Sequence, residues 1–218
     1  MINENIDFLV NMNDKEWGQY AFSRDPLNNK ISYELRQEMI EKANLCGKDQ
    51  ALKIKKKYVN LSVKEIAEKM DLKITYKDTN GTDDYIMFAC YNSPNKVTLF
   101  MGNVTLVKKF IKENELEEKL NNVDIESMLI LHEMFHHIEE IEKDIYTRVE
   151  TIDLWRIGFF KYKSKLLALG EIAAMAFTKE LLSLSYNPYV FDIIMLYPHD
   201  TKKTDKLLDE VKEFKGGL

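Results

Sequence analysis

His132, Glu133 and His136 stand in the run Leu131-His132-Glu133-Met134-Phe135-His136-His137, which holds three of the chain's four histidines. Residues four apart on a helix share one face, roughly 6 Å apart, so both imidazoles can turn a nitrogen toward one metal ion. Glu133 lies about 100° further round the helix than His132, a place that suits a water beside that metal better than the metal itself. This is the layout of a zinc ligand pair with a general base next to it. Met128, Leu129, Ile130, Leu131, Met134, Phe135 and Ile138 make the helix apolar nearly all round, so it should be buried. Buried histidines and a buried carboxylate need partners, and a metal is one.

A catalytic zinc site adds a third protein ligand and keeps a place for water. The metzincin pattern would need a glycine three residues after His136 and a histidine three further on, and Glu139 and Glu142 stand there instead. The gluzincin pattern takes a glutamate from a later helix. Glu171, 35 residues after His136, is the one carboxylate in the apolar stretch Leu166 to Phe177. A lone carboxylate there is costly unless it meets a cation, which could be zinc or the guanidinium of Arg148 or Arg156. Glu150 is the reserve candidate. His137 points about 100° away from His136, toward a wall of the site. His199, Tyr162 and Tyr197 could each donate to a developing oxyanion, although a histidine in the loop Tyr197-Pro198-His199-Asp200 is more simply a surface residue.

The elements that must position these residues follow from pattern. In 218 residues with 45% hydrophobic and 31% charged composition, one sizeable domain or two small packed ones are expected. Residues 1–60 read as an N-terminal arm and helix packed on a body of residues 61–218. Residues 1–30 are polar and irregular, docking through Trp17, Tyr20 and Phe22. A helical pattern runs from Ser32 to about Val59 with Gly47 as a break, and its lysines Lys53, Lys55, Lys56 and Lys57 form a solvated face. Ser62-Val63-Lys64-Glu65 is a capping box that opens a helix over 63–70. Leu72 to Lys77 alternates like a strand, and Asn80-Gly81 marks a turn. Tyr85 to Tyr91 suggests a central strand, and Asn92-Ser93-Pro94-Asn95 turns into a strand over Val97 to Met101. The expected sheet has about three strands and is largely antiparallel; the Val97 strand, at an edge near the cleft, could pair with an extended substrate. An amphipathic helix over Val104 to Leu120 precedes Asp124, the N-cap of the motif helix. That helix ends near Glu142 in an acidic run facing solvent. A short apolar segment over Val190 to Tyr197 and a helix over Thr204 to Phe214 complete an α+β fold, mainly helical and zincin-like.

The net charge of -5 argues against a general nucleic-acid binder. No signal peptide or membrane span is legible, so the chain reads as cytoplasmic. Cys46 and Cys90 have neither metal nor redox spacing.

Glu65-Ile66-Ala67-Glu68-Lys69-Met70-Asp71-Leu72-Lys73-Ile74-Thr75-Tyr76, the H-E-x-x-H helix, and Glu171, Ala174, Phe177, Leu181 and Leu182 follow one another in an order that resembles the ImmA/IrrE-like family of zinc metallopeptidases. The resemblance covers roughly residues 60–185. Phe135 replaces the family's usual glycine, and Ala173 stands where a second acid is common. The resemblance implies an intracellular zinc protease that cleaves a DNA-binding repressor. The competing expectation is a non-catalytic zinc-binding regulatory protein that acts by contact with a partner.

Overall fold

A helix begins where a side chain accepts the first free amide protons. The computed structural model describes residues 2–79, 81–82, 85–157 and 160–215, with 81, 82, 85, 155–157, 160 and 161 described by backbone alone. After α1 (Ile2–Val10), Asn13 accepts from the amides of Lys15 and Glu16 while the Glu16 carboxylate returns to the Asn13 amide, opening α2 (Asp14–Ser23). The N-terminal 30 residues, which look irregular by pattern, are therefore two helices and a short 3-10 turn over Asn28–Lys30.

Ser32 caps α3 (Tyr33–Lys57), which runs through Gly47 without a break. A Cβ at position 47 would lie 2.1 Å from the Ala173 carbonyl oxygen and 3.0 Å from the Ala176 Cβ. The glycine serves a close helix–helix approach rather than a helix end. Ser62 and Glu65 cap α4 (Val63–Lys69) reciprocally, as their spacing predicts.

Next come β1 (Lys73–Lys77), β2 (Gly81–Thr82), β3 (Tyr85–Ile86), β4 (Ala89–Asn92) and β5 (Lys96–Phe100). The three-stranded sheet has the order β1-β5-β4, with β5 parallel to β1 and antiparallel to β4. It is mixed rather than largely antiparallel, and β5 is its centre rather than its edge. Burial explains the placement: Val97 through Phe100 are buried on both faces, which only a covered central strand allows, whereas β4 is half-buried. Thr75 Oγ1 reaches Val97 O at 3.2 Å and Thr98 Oγ1 at 3.1 Å, fixing the parallel register. The stretch expected as one central strand divides into β3 and the edge strand β4. Asn80, half of the expected Asn80-Gly81 turn, lies outside the described residues, as do Gly216 and Gly217.

Helix α5 (Met101–Glu113) stops short of Leu120 because the chain turns at Glu115, whose φ is 55°. Asp124 then accepts from the Ser127 amide and opens α6 (Ile125–Ile141), the motif helix. A single turn α7 (Tyr146–Val149) leads to the antiparallel hairpin β6 (Ile152–Ile157) and β7 (Phe160–Ser164). Helices α8 (Leu167–Leu182), α9 (Val190–Ile194) and α10 (Thr201–Lys212) follow. The described residues are mostly helical with a small mixed sheet, an α+β arrangement. One buried apolar cluster extends from Ile6 on α1 to Val211 on α10. No described helix is long and apolar enough to cross a membrane.

Helix α8 packs against both α3 and α6. Phe135 of α6 meets Phe177 of α8 at 5.6 Å between ring centroids. On another side of α6 His137 is buried, with Nε2 3.1 Å from Met70 O and Nδ1 3.2 Å from Pro94 O. Tyr91 and Ser93 of the β4–β5 hairpin bond the Glu140 carboxylate. The motif helix thus carries the sheet on one face and α8 on another.

Gly47→Ala should lower stability. Alanine gains about 1 kcal/mol of helix propensity over glycine, but overpacking costs roughly 1–3 kcal/mol. A backbone carbonyl cannot swing aside as a side chain can, so the upper end applies. A thermal melt should show a lower midpoint for the variant; an unchanged or higher midpoint would contradict the close approach.

Candidate metal centre

The face of α6 that carries His132 and His136 is turned toward the first turns of α8, where Glu171 stands. Among the described residues these three bring one ligand atom each to within 4.8 Å of one another. His132 Nε2 is 3.3 Å from His136 Nε2 and 3.3 Å from Glu171 Oε2, and His136 Nε2 is 3.5 Å from Glu171 Oε1. Those separations have a geometric meaning. The edge of a tetrahedron built on bonds of about 2.0–2.1 Å, the usual zinc–nitrogen and zinc–oxygen lengths, is roughly 3.3–3.4 Å. The two short contacts to Glu171 use different oxygens of its carboxylate, so the three side chains surround a space of the size one ion needs, and nitrogen and carboxylate donors are what a divalent transition metal takes.

The tautomer of His136 supports the fit. Its Nδ1 lies 2.8 Å from Glu139 Oε2, so Nδ1 carries the donated hydrogen and Nε2 keeps its lone pair toward the cluster. Glu139 is itself held by the Thr147 hydroxyl of α7. A Cβ at Gly170 would come within 3.0 Å of Glu139 Oε1, so the glycine leaves space for that carboxylate beside α8. Glu139 does not reach solvent with the rest of the acidic run; its side chain is only 17% exposed. Sequence reasoning missed it, although a carboxylate three residues after a helical histidine is within reach of that ring.

The electrostatics are those of a strongly coupled pair. Burial pulls the His132 imidazole down, but the hydrogen bond and charge of Glu171 outweigh it, leaving a pKa of about 9. Burial likewise pushes Glu171 up, and the bond to His132 with the charges of both histidines brings it to about 2.

Glu133 lines the same cleft as His132 and Glu171, a cavity of about 290 Å³ bordered also by Phe88 and Ala89. Ala89 begins β4, so the edge strand beside the site is β4 and not the Val97 strand. The cleft also holds a residue that the sequence did not single out. Asp192, on α9, accepts a hydrogen bond at Oδ2 from the Tyr20 hydroxyl, 3.1 Å away. Burial first, then the charge of Glu171, push its carboxyl up to about 6 against the opposing bond from Tyr20. No helical or strand periodicity marks Asp192, and only the fold brings it near Glu171.

The remaining candidates lie elsewhere. His137 faces the hairpin turn and the end of α4, not the cleft, and acts as a clamp between them. Tyr197 stacks on Phe110 at 5.3 Å and its hydroxyl accepts from Asn5. His199 packs against the Phe88 ring at 5.9 Å, and Tyr162 stands 55% exposed on β7; neither borders the cleft. Arg148 donates to the carbonyls of Glu139 and Glu140, closing the end of α6 rather than pairing with Glu171. The Arg156 side chain lies outside the described residues. Glu150 bonds the Thr151 amide and is not part of the ligand group. No family model, curated protein or solved structure matches the chain.

Two outcomes follow. In the metal-free protein His132 is raised above its ordinary value and Glu171 lowered below its own. Their mutual stabilisation is therefore complete between pH 4.5 and 6.5, fading as pH falls toward about 2 or rises toward about 9. At pH 7 a divalent metal ion bound by His132 would displace its proton, so calorimetry with zinc in buffers of different ionisation enthalpy should show release of about one proton. Binding without proton release would contradict the assignment. Glu139→Ala should weaken zinc affinity by about 10–100-fold in a chelator competition; an unchanged affinity would remove Glu139 from the site.

Proposed function

We propose that the chain is a zinc-dependent endopeptidase of the zincin type. The observation that carries the reading is the convergence of His132, His136 and Glu171, one ligand atom each within 4.8 Å, with Glu133 on the same helix as the histidines and in the cleft that His132 and Glu171 line. A binding site alone needs no free carboxylate beside the ligands; hydrolysis does.

A divalent ion held there supplies Lewis acidity, which polarises a peptide carbonyl and makes water acidic near neutral pH. The chain's own residues do the rest. Glu139 keeps His136 in the one tautomer that can ligate. Glu133 takes the proton of the attacking water and returns it to the leaving amine. Among the described residues no strand pairs with the outer edge of β4, which could take an extended peptide as a further strand and align its scissile bond along the cleft. The order of sheet, H-E-x-x-H helix and glutamate helix is that of gluzincins. With the resemblance to ImmA/IrrE-like peptidases, it makes a DNA-binding repressor the protein substrate to test first.

Glu133→Gln should reduce peptide cleavage by on the order of 10² to 10⁴-fold, the usual worth of a general base, while zinc content stays at the level of the unsubstituted chain. Cleavage at an undiminished rate would overturn the mechanism.

A further inference from the structure

We propose that the inner end of the cleft is a pocket for a basic side chain, lysine or arginine, adjoining the cleaved bond, and that Asp192 is the residue that selects it. The proposal rests on the reading of the site as a peptide-binding centre and deepens it.

The cavity has room for one long side chain, and its walls are apolar where Met128, Met175, Phe191 and Met195 line it. Such walls suit the methylene stem that lysine and arginine share. Asp192 borders the same cavity and stays partly exposed to it. Its one side-chain hydrogen bond among the described residues is the Tyr20 contact at Oδ2, which leaves Oδ1 to accept from a ligand. A buried carboxylate with one neutral donor is still costly as a charge unless it also meets a cation.

Among the described residues no lysine or arginine lines the cavity. Arg24 lies over the Tyr20 ring, 5.2 Å from its centroid, and is paired with Glu210. Tyr189 and Thr178 also line the cavity, and among the described residues their buried hydroxyls have no hydrogen-bond partner. Charge leads the same way. Glu133, Glu171 and Asp192 oppose the two charges of one divalent ion, and a cationic side chain neutralises what remains. A neutral side chain of equal length would cover Asp192 and leave its charge without a cation and its Oδ1 without a donor, the situation in which a site built for a polar head discriminates most strongly.

The experiment uses the zinc-loaded Glu133→Gln chain and alanine pentapeptides whose central residue is arginine, lysine or norleucine, the last having the lysine stem without its amine. Titration calorimetry should show lysine and arginine binding at least on the order of ten-fold tighter than norleucine, and Asp192→Asn should bring that ratio to about one. Equal affinities, no binding of any of the three, or a ratio that survives Asp192→Asn would overturn the proposal. Should Asp192→Asn fail to fold, the lysine-to-norleucine ratio on the Glu133→Gln chain decides alone. Cleavage of the same peptides by the unsubstituted chain separates the two claims. Basic preference in binding without cleavage removes the endopeptidase reading and leaves the pocket, whereas cleavage without basic preference does the reverse.

Discussion

Two imidazole nitrogens and the two oxygens of one carboxylate approach one another at 3.3–3.5 Å between α6 and α8, and the fold must hold that arrangement. Side chains of this kind crowd together at low cost when a cation stands among them, whether a shared proton or a metal. The separation is set by packing. Phe135 against Phe177 spaces α6 from α8. Gly170 leaves room for the carboxylate that orients His136, and Gly47 lets α3 press on α8 from another side. Small residues at these crossings are thus geometric requirements of the ligand triangle.

The rest of the molecule builds a cleft around that triangle. His137 ties the end of α4 and the hairpin turn to the motif helix, which fixes the edge strand β4 beside Glu133. The start of the chain contributes too, since Tyr20 on α2 bonds Asp192 on α9 and stacks edge-on against Tyr189 at 5.8 Å. The N-terminal helices therefore support one end of the cleft. His132, Glu133, Glu171 and Asp192 line one cavity beside β4.

What could be read in the sequence was local. Ser62 with Glu65, and Asp124 with Ser127, are caps written in adjacent residues, and the four-residue spacing of His132 and His136 is intrinsic to a helix. Glu171 was legible because a single carboxylate in an apolar run has to be explained. The same logic applied to Asn13 and Glu16 would have found α2, but the polar composition around them hid the box. What was not legible depends on distant partners. The parallel pairing of β1 with β5, the role of Gly47 and the approach of Asp192 to the cleft arise only once separate segments pack. The helix expected to reach Leu120 ended early at a left-handed residue, Glu115, which no periodicity marks.

The proposed centre depends on which atoms would hold a metal. Zinc X-ray absorption on the loaded protein reads this directly: it should show a nitrogen and oxygen shell at about 2.0–2.1 Å with the outer scattering of two imidazoles. A sulfur shell, a single imidazole, or a shell of water oxygens alone would contradict the assignment of His132, His136 and Glu171.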